Sequence, residues 1–227
     1  MQNNKKITNR LNFDVKDKNS IEKCYFLIQL CLIEFKDTLH RTFPQSSDFL
    51  DKNENFLNSR FCLLLTEKAK SYEYPFIPLH ENPTSDEDDN HFSNTHKVDI
   101  SFFISAEHPD SIFDLECKRL YSIKQKHYIS GKTGGINRYK LEKHGKSCTQ
   151  SAIVAYMQAE NFDFWHTKIN TWIENEVSKT NQEVVWSAND KLQKRNNVNP
   201  ILSKCQSFHK RKTLADIGLT HYWINLQ

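Results

Sequence analysis

Three ionisable residues stand at short, regular spacing near the middle of the chain. Asp99 lies in one apolar segment, and Glu116 and Lys118 lie two positions apart in the next. Both segments are short and are bounded by residues that favour turns, so they predict two strands of a hairpin. Because successive side chains of a strand point to opposite faces, such a hairpin brings all three to one face.

This combination of side chains suits the hydrolysis of phosphodiesters. Two converging carboxylates repel each other unless a cation lies between them. Oxygen ligands of this kind suit Mg²⁺, and a lysine on the same face can orient a water or stabilise charge on a phosphate. The alternative interpretation is a solvated strand face that carries an ion pair of little energetic value.

The pattern Asp99…Glu116-Cys117-Lys118 resembles the Asp…(Asp/Glu)-x-Lys core of the PD-(D/E)xK nuclease superfamily, over roughly residues 57–160. The resemblance implies that Asp99 and Glu116 hold Mg²⁺, for which Mn²⁺ can substitute. It also implies that the Cys117 backbone carbonyl completes the metal ligands and that Lys118 assists the attacking water. The implied fold is α/β and restriction-endonuclease-like, with a mixed central sheet flanked by helices.

Members of this superfamily often use a third acidic residue from the helix before the first strand. Glu34, Glu67 and Glu81 are the candidates in this chain. We favour Glu81 as a further metal ligand, because a carboxylate at a strand end beside Asp99 could reach the metal without a rearrangement of a helix.

The net charge of +3 conceals an uneven distribution. Residues 1–117 carry 13 Lys and Arg against 20 Asp and Glu, whereas residues 118–227 carry 18 against 8. Such a division predicts a surface of the C-terminal half that faces a polyanion. The candidate nucleic-acid-binding residues are Lys132, Arg138, Lys210 and Arg211.

Arg138 belongs to a Gly-Ile-x-Arg-Tyr segment that is similar to one found after the catalytic lysine in superfamily members. The resemblance places Arg138 near the active site. A contact with the substrate phosphate and a structural ion pair are equal alternatives for its role.

Hydrophobic periodicity predicts a single domain with an N-terminal helical part (1–72), a catalytic core (73–160) and a C-terminal helix with a strand pair (161–227). Residues 1–18 are expected to be frayed or to form a short strand around 7–15, and residues 82–95 to form an acidic exposed loop. Gln150 is a candidate for the cleft, with a plain surface role as the alternative. The predicted helices are 21–41, 56–72, 147–160 and 162–177, and the predicted strands are 74–81, 96–104, 111–120, 201–212 and 217–226.

Several other classes of site are excluded by spacing. The ten histidines form no His-x-His or His-Glu-x-x-His motif, and no Gly-x-Ser-x-Gly is present. Gly131-Lys132-Thr133 lacks the preceding glycine of a phosphate-binding loop, since Lys126 stands in its place. The cysteine pattern, the absence of a signal sequence and the short apolar runs predict a cytoplasmic protein that does not contact a membrane.

Two classes of function remain. The first is a Mg²⁺-dependent nuclease acting on DNA, with RNA as an open alternative, in a prokaryotic defence or restriction-type system. The expected partner is a regulatory protein subunit or a second copy of the chain. The helix 21–41 either forms the surface that binds this partner or faces the core. The second class is a nuclease-fold binding or assembly subunit without catalysis.

Overall fold

The computed structural model describes residues 3–44, 49–83, 97–104, 110–122, 126–131, 134–179 and 183–227. The helices are α1 (Asn3–Thr42), α2 (Glu54–Ser71), α3 (Gly135–Lys140) and α4 (Phe162–Val177), with a short 3₁₀ helix at Ala188–Asp190. The strands are β1 (Ile77–Pro83), β2 (Lys97–Phe103), β3 (Phe113–Leu120), β4 (Gln150–Met157), β5 (Asn196–Asn199), β6 (Leu202–His209) and β7 (Ile217–Asn225).

The strands form one seven-stranded sheet in the order β1-β2-β3-β4-β7-β6-β5. The pairs β3–β4 and β4–β7 are parallel, and the other four pairs are antiparallel. Alternate residues of β4 enter two separate apolar clusters: Val154 packs in the cluster of α1 and α2, and Ile153 in that of α4. The predicted α/β class, with a mixed central sheet flanked by helices, is confirmed.

Helix α1 packs one apolar stripe into the core. The predicted helix at 21–41 is present, and its face is buried at Cys24, Leu27, Ile28, Cys31, Leu32, Phe35 and Leu39, so its core-facing role is correct. The expectation for residues 1–18 is wrong from Asn3 onward, because the helix begins there. This segment contains no glycine or proline that would interrupt a helix.

Helix α2 begins two residues before its predicted start at Phe56. Asn53 caps it, and the Asn53 side chain accepts a hydrogen bond from the Phe56 backbone N–H at 2.9 Å. The cap therefore places Glu54 in the first turn. Strand β1 follows and forms an edge of the sheet, as its two prolines predict.

The helix predicted at 147–160 is wrong, because this segment contains the central strand β4. Seven consecutive residues from Ser151 to Met157 are buried. A strand buried on both faces shows no alternation of polar and apolar residues, and a run of small residues resembles a buried helix equally well. Gln150 is exposed at the start of this strand, three residues before Ile153, which pairs with Glu116.

The C-terminal half follows its prediction more closely. Helix α4 has the predicted bounds, and β6 and β7 form the predicted antiparallel pair. The connection between α4 and β6 contains the 3₁₀ helix and β5. All six cysteines are buried thiols. No helix in the described residues is long and apolar enough to cross a membrane.

Candidate active site

The site lies where β2 and β3 separate. The two strands pair only from Phe102, opposite Phe113, to Ile100, opposite Leu115. Beyond this point the backbone N–H groups of β3 that face β2 need other acceptors, since alternate residues of a strand direct N–H toward the same neighbour. The fork between the strands is therefore lined by hydrogen-bond donors of the main chain.

Two carboxylates occupy this fork. The Cys117 backbone N–H donates to Asp99 Oδ2 at 2.7 Å, and the Arg119 backbone N–H donates to Glu54 Oε2 at 3.2 Å. Asp99 comes from β2, whereas Glu54 comes from the first turn of α2. Both carboxylates are thus positioned by the backbone of β3, the strand that carries Glu116 and Lys118.

Four oxygen atoms surround the ammonium nitrogen of Lys118. They are Glu116 Oε1 at 2.7 Å, the Cys117 carbonyl oxygen at 2.8 Å, Glu54 Oε1 at 3.1 Å and Asp99 Oδ2 at 3.9 Å. The Lys118 side chain is 5% exposed and that of Glu116 is fully buried. The structure therefore brings together the three residues that the sequence singled out and adds Glu54.

The protonation equilibria of the site reflect burial and the charges of neighbouring groups. Burial, together with the charge of Glu116, raises the pKa of Asp99 to about 8. Burial alone would lower the pKa of Lys118, but the carboxylates of Glu116, Asp99 and Glu54 outweigh it and raise that pKa. Lys118 is therefore charged at neutral pH, while Asp99 retains its proton there.

Glu116 is ionised and held from three sides. Burial alone would raise the pKa of Glu116, but Lys118, His144 and Arg138 outweigh it and lower the pKa below its ordinary value. Arg138 Nη1 lies 2.9 Å from Glu116 Oε1, and His144 Nδ1 lies 3.0 Å from Glu116 Oε2. Of the two alternatives for Arg138, the structure shows the ion pair.

The clustered glycines allow α3 to approach the site. A Cβ atom on Gly135 would lie 3.1 Å from the Tyr128 carbonyl oxygen and 3.5 Å from the Cγ atom of Lys118. A Cβ atom on Gly134 would lie 2.6 Å from the backbone of Ser130. Larger residues at these positions would displace the turn that carries Arg138 to Glu116.

Glu54 is the acidic residue that sequence reasoning missed. The Asn53 cap followed by an acidic residue in the first turn was the available signal, because both features are typical of a helix start. A helix start predicted at Phe56 left Glu54 outside the helix. The distance along the chain from Glu54 to Lys118 gave no indication that the two side chains meet.

Glu81, the favoured third acid, does not join the cluster. The register of β1 with β2 places Glu81 between the pairs His80–Ile100 and Asn82–Val98. Its backbone has a φ of 52°, and its carboxylate binds the exposed Lys97 at 3.1 Å. The other two candidates lie on helices: Glu34 pairs with Lys68, and Glu67 is exposed.

The predicted nucleic-acid-binding residues have different outcomes. Arg211 donates to the carbonyl oxygens of Gly145 and Cys148, at 2.7 and 3.0 Å, so its guanidinium holds the loop before β4. Its contact with a phosphate stays a prediction. Lys210 is exposed directly after β6. Lys132 lies outside the described residues, as does most of the predicted acidic loop.

The donor set of the fork fits a divalent cation. Asp99, Glu116 and Glu54 contribute carboxylate oxygens and Cys117 a carbonyl oxygen, which are the ligand types that Mg²⁺ takes. Among the described residues no three His, Cys, Asp or Glu side chains are already grouped for a metal ion, since the Lys118 ammonium stands between the carboxylates.

An open pocket of about 500 Å³ adjoins this cluster. Its lining residues are Asn53, Glu54, Asn55, Lys118, Arg119, Tyr121 and His127. The volume is within the range of sites for small organic ligands. Lys118 and Glu54 therefore connect the buried carboxylates with a cavity that a substrate could enter.

A second buried polar cluster lies between α3, the 3₁₀ helix and the strands β6 and β7. Asp190 Oδ1 lies 2.6 Å from Lys140 Nζ and 2.7 Å from His209 Nδ1, and Asp190 Oδ2 accepts from the Ser187 N–H at 2.7 Å. Burial alone would raise the pKa of Asp190, but His209 and Lys140 lower it to about 2.

The chain of hydrogen bonds continues from His209 through the core. His209 Nε2 lies 2.6 Å from Ser207 Oγ, which lies 2.7 Å from His221 Nε2, and His221 Nδ1 lies 2.6 Å from the Tyr128 hydroxyl. The Trp223 indole N–H donates to that hydroxyl at 2.9 Å. Burial lowers the pKa of both histidines, so both are neutral. One assignment of protons then gives every donor in this series of hydrogen bonds an acceptor. We call the hydrogen-bonded side chains from Asp190 to Trp223 the closed relay.

The closed relay includes Ser207, His209 and Asp190 in the order and at the distances of a catalytic triad. All three side chains are buried, and the Ser207 hydroxyl is shared between two imidazoles. A nucleophile requires access to its substrate, so this arrangement stabilises the fold and does not form a hydrolase site.

Comparison of the chain with family models, with curated proteins and with solved structures finds no match.

Proposed function

We propose that this protein is a Mg²⁺-dependent nuclease that hydrolyses phosphodiester bonds of DNA. The observation that carries the proposal is the convergence of three carboxylates and a carbonyl oxygen on Lys118, beside a pocket, at the fork of β2 and β3. Hydrolysis with an oxygen-bound metal and an adjacent lysine accounts for these groups together. The Asp99…Glu116-Cys117-Lys118 pattern resembles the core of the PD-(D/E)xK nuclease superfamily. This resemblance favours an endonuclease of a prokaryotic defence or restriction-type system, acting in the cytoplasm.

Each residue of the fork has a distinct role in this mechanism. Asp99, Glu116, Glu54 and the Cys117 carbonyl would hold Mg²⁺, which when bound polarises a phosphate oxygen and lowers the pKa of its bound water. The Lys118 ammonium stabilises negative charge on the phosphate, because this cation belongs to the cluster and also lines the pocket.

Two further residues position Glu116. The Arg138 guanidinium and the His144 imidazole each contact one carboxylate oxygen, and this holds Glu116 in one orientation and keeps it ionised. Lys132 and Lys210 remain candidates for contacts with the nucleic-acid backbone, and RNA remains an alternative substrate. A regulatory protein subunit or a second copy of the chain is the proposed partner.

The second candidate function is a binding or assembly subunit of the same fold without catalysis. It is favoured by one observation: the Lys118 ammonium already occupies the centre of the carboxylates, so the cluster can form without a metal ion. Metal binding and cleavage separate the two candidates.

The test is cleavage of plasmid DNA and of a single-stranded circle with Mg²⁺, with Mn²⁺ or with EDTA. We expect cleavage that needs the metal and that falls at least about 100-fold in Lys118→Ala and in Asp99→Asn, the loss typical of removing a group that stabilises transition-state charge. Lys97→Ala is the matched control, because Lys97 is an exposed lysine on the strand that carries Asp99.

Calorimetry of Mn²⁺ binding in the same samples distinguishes an inactive enzyme from an assembly subunit. A chain that cleaves no substrate and binds no Mn²⁺, alone or with DNA, contradicts the nuclease proposal. Binding of Mn²⁺ that Asp99→Asn weakens supports the site even where a partner is required for cleavage.

A further inference from the structure

The pocket beside Lys118 is lined by an arginine and a tyrosine whose side chains contact each other. The Arg119 guanidinium carbon lies 4.2 Å from the centre of the Tyr121 ring, and both residues line the pocket together with Lys118 and Glu54. Tyr121 is 40% exposed, and Arg119 is the partner that the described residues show for its ring. We call this pair the stacking platform.

The stacking platform is held in place before any ligand binds. Arg119 Nε donates to Gln158 Oε1 at 2.5 Å, and Gln158 Nε2 donates to the carbonyl oxygens of Phe49 and Lys52 at 2.6 and 3.0 Å. Gln158 is itself buried. A side chain fixed in this way loses little conformational entropy on binding, so its contacts contribute fully to affinity.

The chemistry of the stacking platform matches a nucleobase. Aromatic rings and guanidinium planes are the surfaces on which the bases of single strands stack, and the pocket volume of about 500 Å³ suits such a group. A base inside a duplex is covered on both faces by its neighbours, so it cannot present a free face to the platform. The cluster that would cleave the backbone lies directly beside this surface.

We propose that the Arg119–Tyr121 platform binds an unstacked nucleobase next to the cleaved phosphodiester, so that the site acts on single-stranded segments of nucleic acid. This inference rests on the proposed nuclease function and deepens it. It assigns Tyr121 and Arg119 a substrate-binding role, whereas the carboxylates and Lys118 carry the chemistry.

The test is binding, measured with Ca²⁺ in place of Mg²⁺, of a dye-labelled oligothymidylate of about 12 nucleotides and of a blunt duplex. We expect the protein to prefer the single strand and Tyr121→Ala to weaken that binding about 5- to 100-fold, the range found for one stacked base. Tyr121→Phe keeps the ring and should bind as the native chain does. Tyr72→Ala is the matched control, because Tyr72 is an exposed tyrosine outside the pocket.

A second variant tests the guanidinium. Arg119→Lys keeps the charge and loses the planar group, so we expect weaker binding of the single strand and little change for the duplex. A 2-aminopurine base in the oligonucleotide reports stacking directly, and its fluorescence change should disappear in Tyr121→Ala.

The outcomes separate this inference from the proposed function. Equal binding of the single strand by Tyr121→Ala and the native chain, or a preference for the duplex, overturns the platform and leaves a metal-dependent nuclease intact. A native chain that binds neither substrate also overturns the platform, and the nuclease proposal fails with it only if that chain cleaves neither substrate and binds no Mn²⁺.

Discussion

Lys118 and Lys140 are both buried lysines with carboxylate partners, yet their surroundings differ. Lys140 pairs with Asp190 at 2.6 Å, at one end of the closed relay in which each donor has an acceptor. Lys118 faces three carboxylates, and burial together with the charge of Glu116 raises the pKa of Asp99 to about 8. A closed cluster stabilises a fold, whereas a cluster of several carboxylates around one ammonium offers oxygen ligands to a cation.

The largest expected effects come from removing each lysine. In EDTA we expect Lys118→Met and Lys140→Met each to lower the free energy of unfolding by about 3–5 kcal/mol, because each removes the ammonium that pairs with a buried carboxylate. Mg²⁺ should restore part of the loss in Lys118→Met alone, since only that cluster offers several oxygen ligands. Urea unfolding with and without Mg²⁺ measures this difference.

If Mg²⁺ restores the free energy of unfolding of both lysine variants, or of neither, the predicted difference between the two clusters is wrong. Ca²⁺ provides a control for the ligand geometry, because it accepts the same oxygen ligands at longer distances.

Substituting the two aspartates should change stability in opposite directions. Asp99 has a folded pKa of about 8 against 3.8 for the free side chain, so the folded state binds the proton more tightly. In EDTA, stability should therefore fall as the pH rises from 3.8 through 8, by up to about 1.4 kcal/mol per pH unit. Asp99→Asn removes this dependence and should be more stable than the native chain at pH 9.

Asp190 has a folded pKa of about 2, below its ordinary value of 3.8. Its contribution to stability is present above pH 3.8 and is lost as the pH falls through 2. Asp190→Asn should cost about 1.5–3 kcal/mol at pH 7, the range for a hydrogen bond to a charged group. Unfolding curves of both variants and of the native chain at pH 5, 7 and 9 measure these changes in stability. An Asp99→Asn variant that is less stable than the native chain at pH 9 would contradict the prediction that the ionised Asp99 carboxylate destabilises the fold.

The smallest expected effects are those that decide whether Glu54 or Glu81 is the third acidic metal ligand. Glu54→Gln should weaken Mn²⁺ binding and cleavage about 10- to 100-fold, as losses around metal centres commonly do. Glu81→Gln should leave both unchanged and should alter stability by less than about 1 kcal/mol, because its ion pair with Lys97 is exposed. Calorimetry and plasmid cleavage measure both variants, and the reverse ranking would restore Glu81 as the metal ligand.

The sequence by itself determined the features that depend on local periodicity. The phase of Asp99, Glu116 and Lys118 follows from the two-residue repeat of strands, and the bounds of α4 follow from its apolar stripe. The α/β class follows in turn, because such elements can bury their apolar faces only in layers.

Only the tertiary structure decided the features that depend on distant partners. A strand buried on both faces loses the alternation that identifies it, so β4 was mistaken for a helix. Glu54 reaches Lys118 because β2 and β3 separate and α2 begins at the gap. Arg211 binds the loop before β4 because that loop lies beside the segment that follows β6. Spacing along the chain encodes which side chains share an element, whereas packing decides which elements meet.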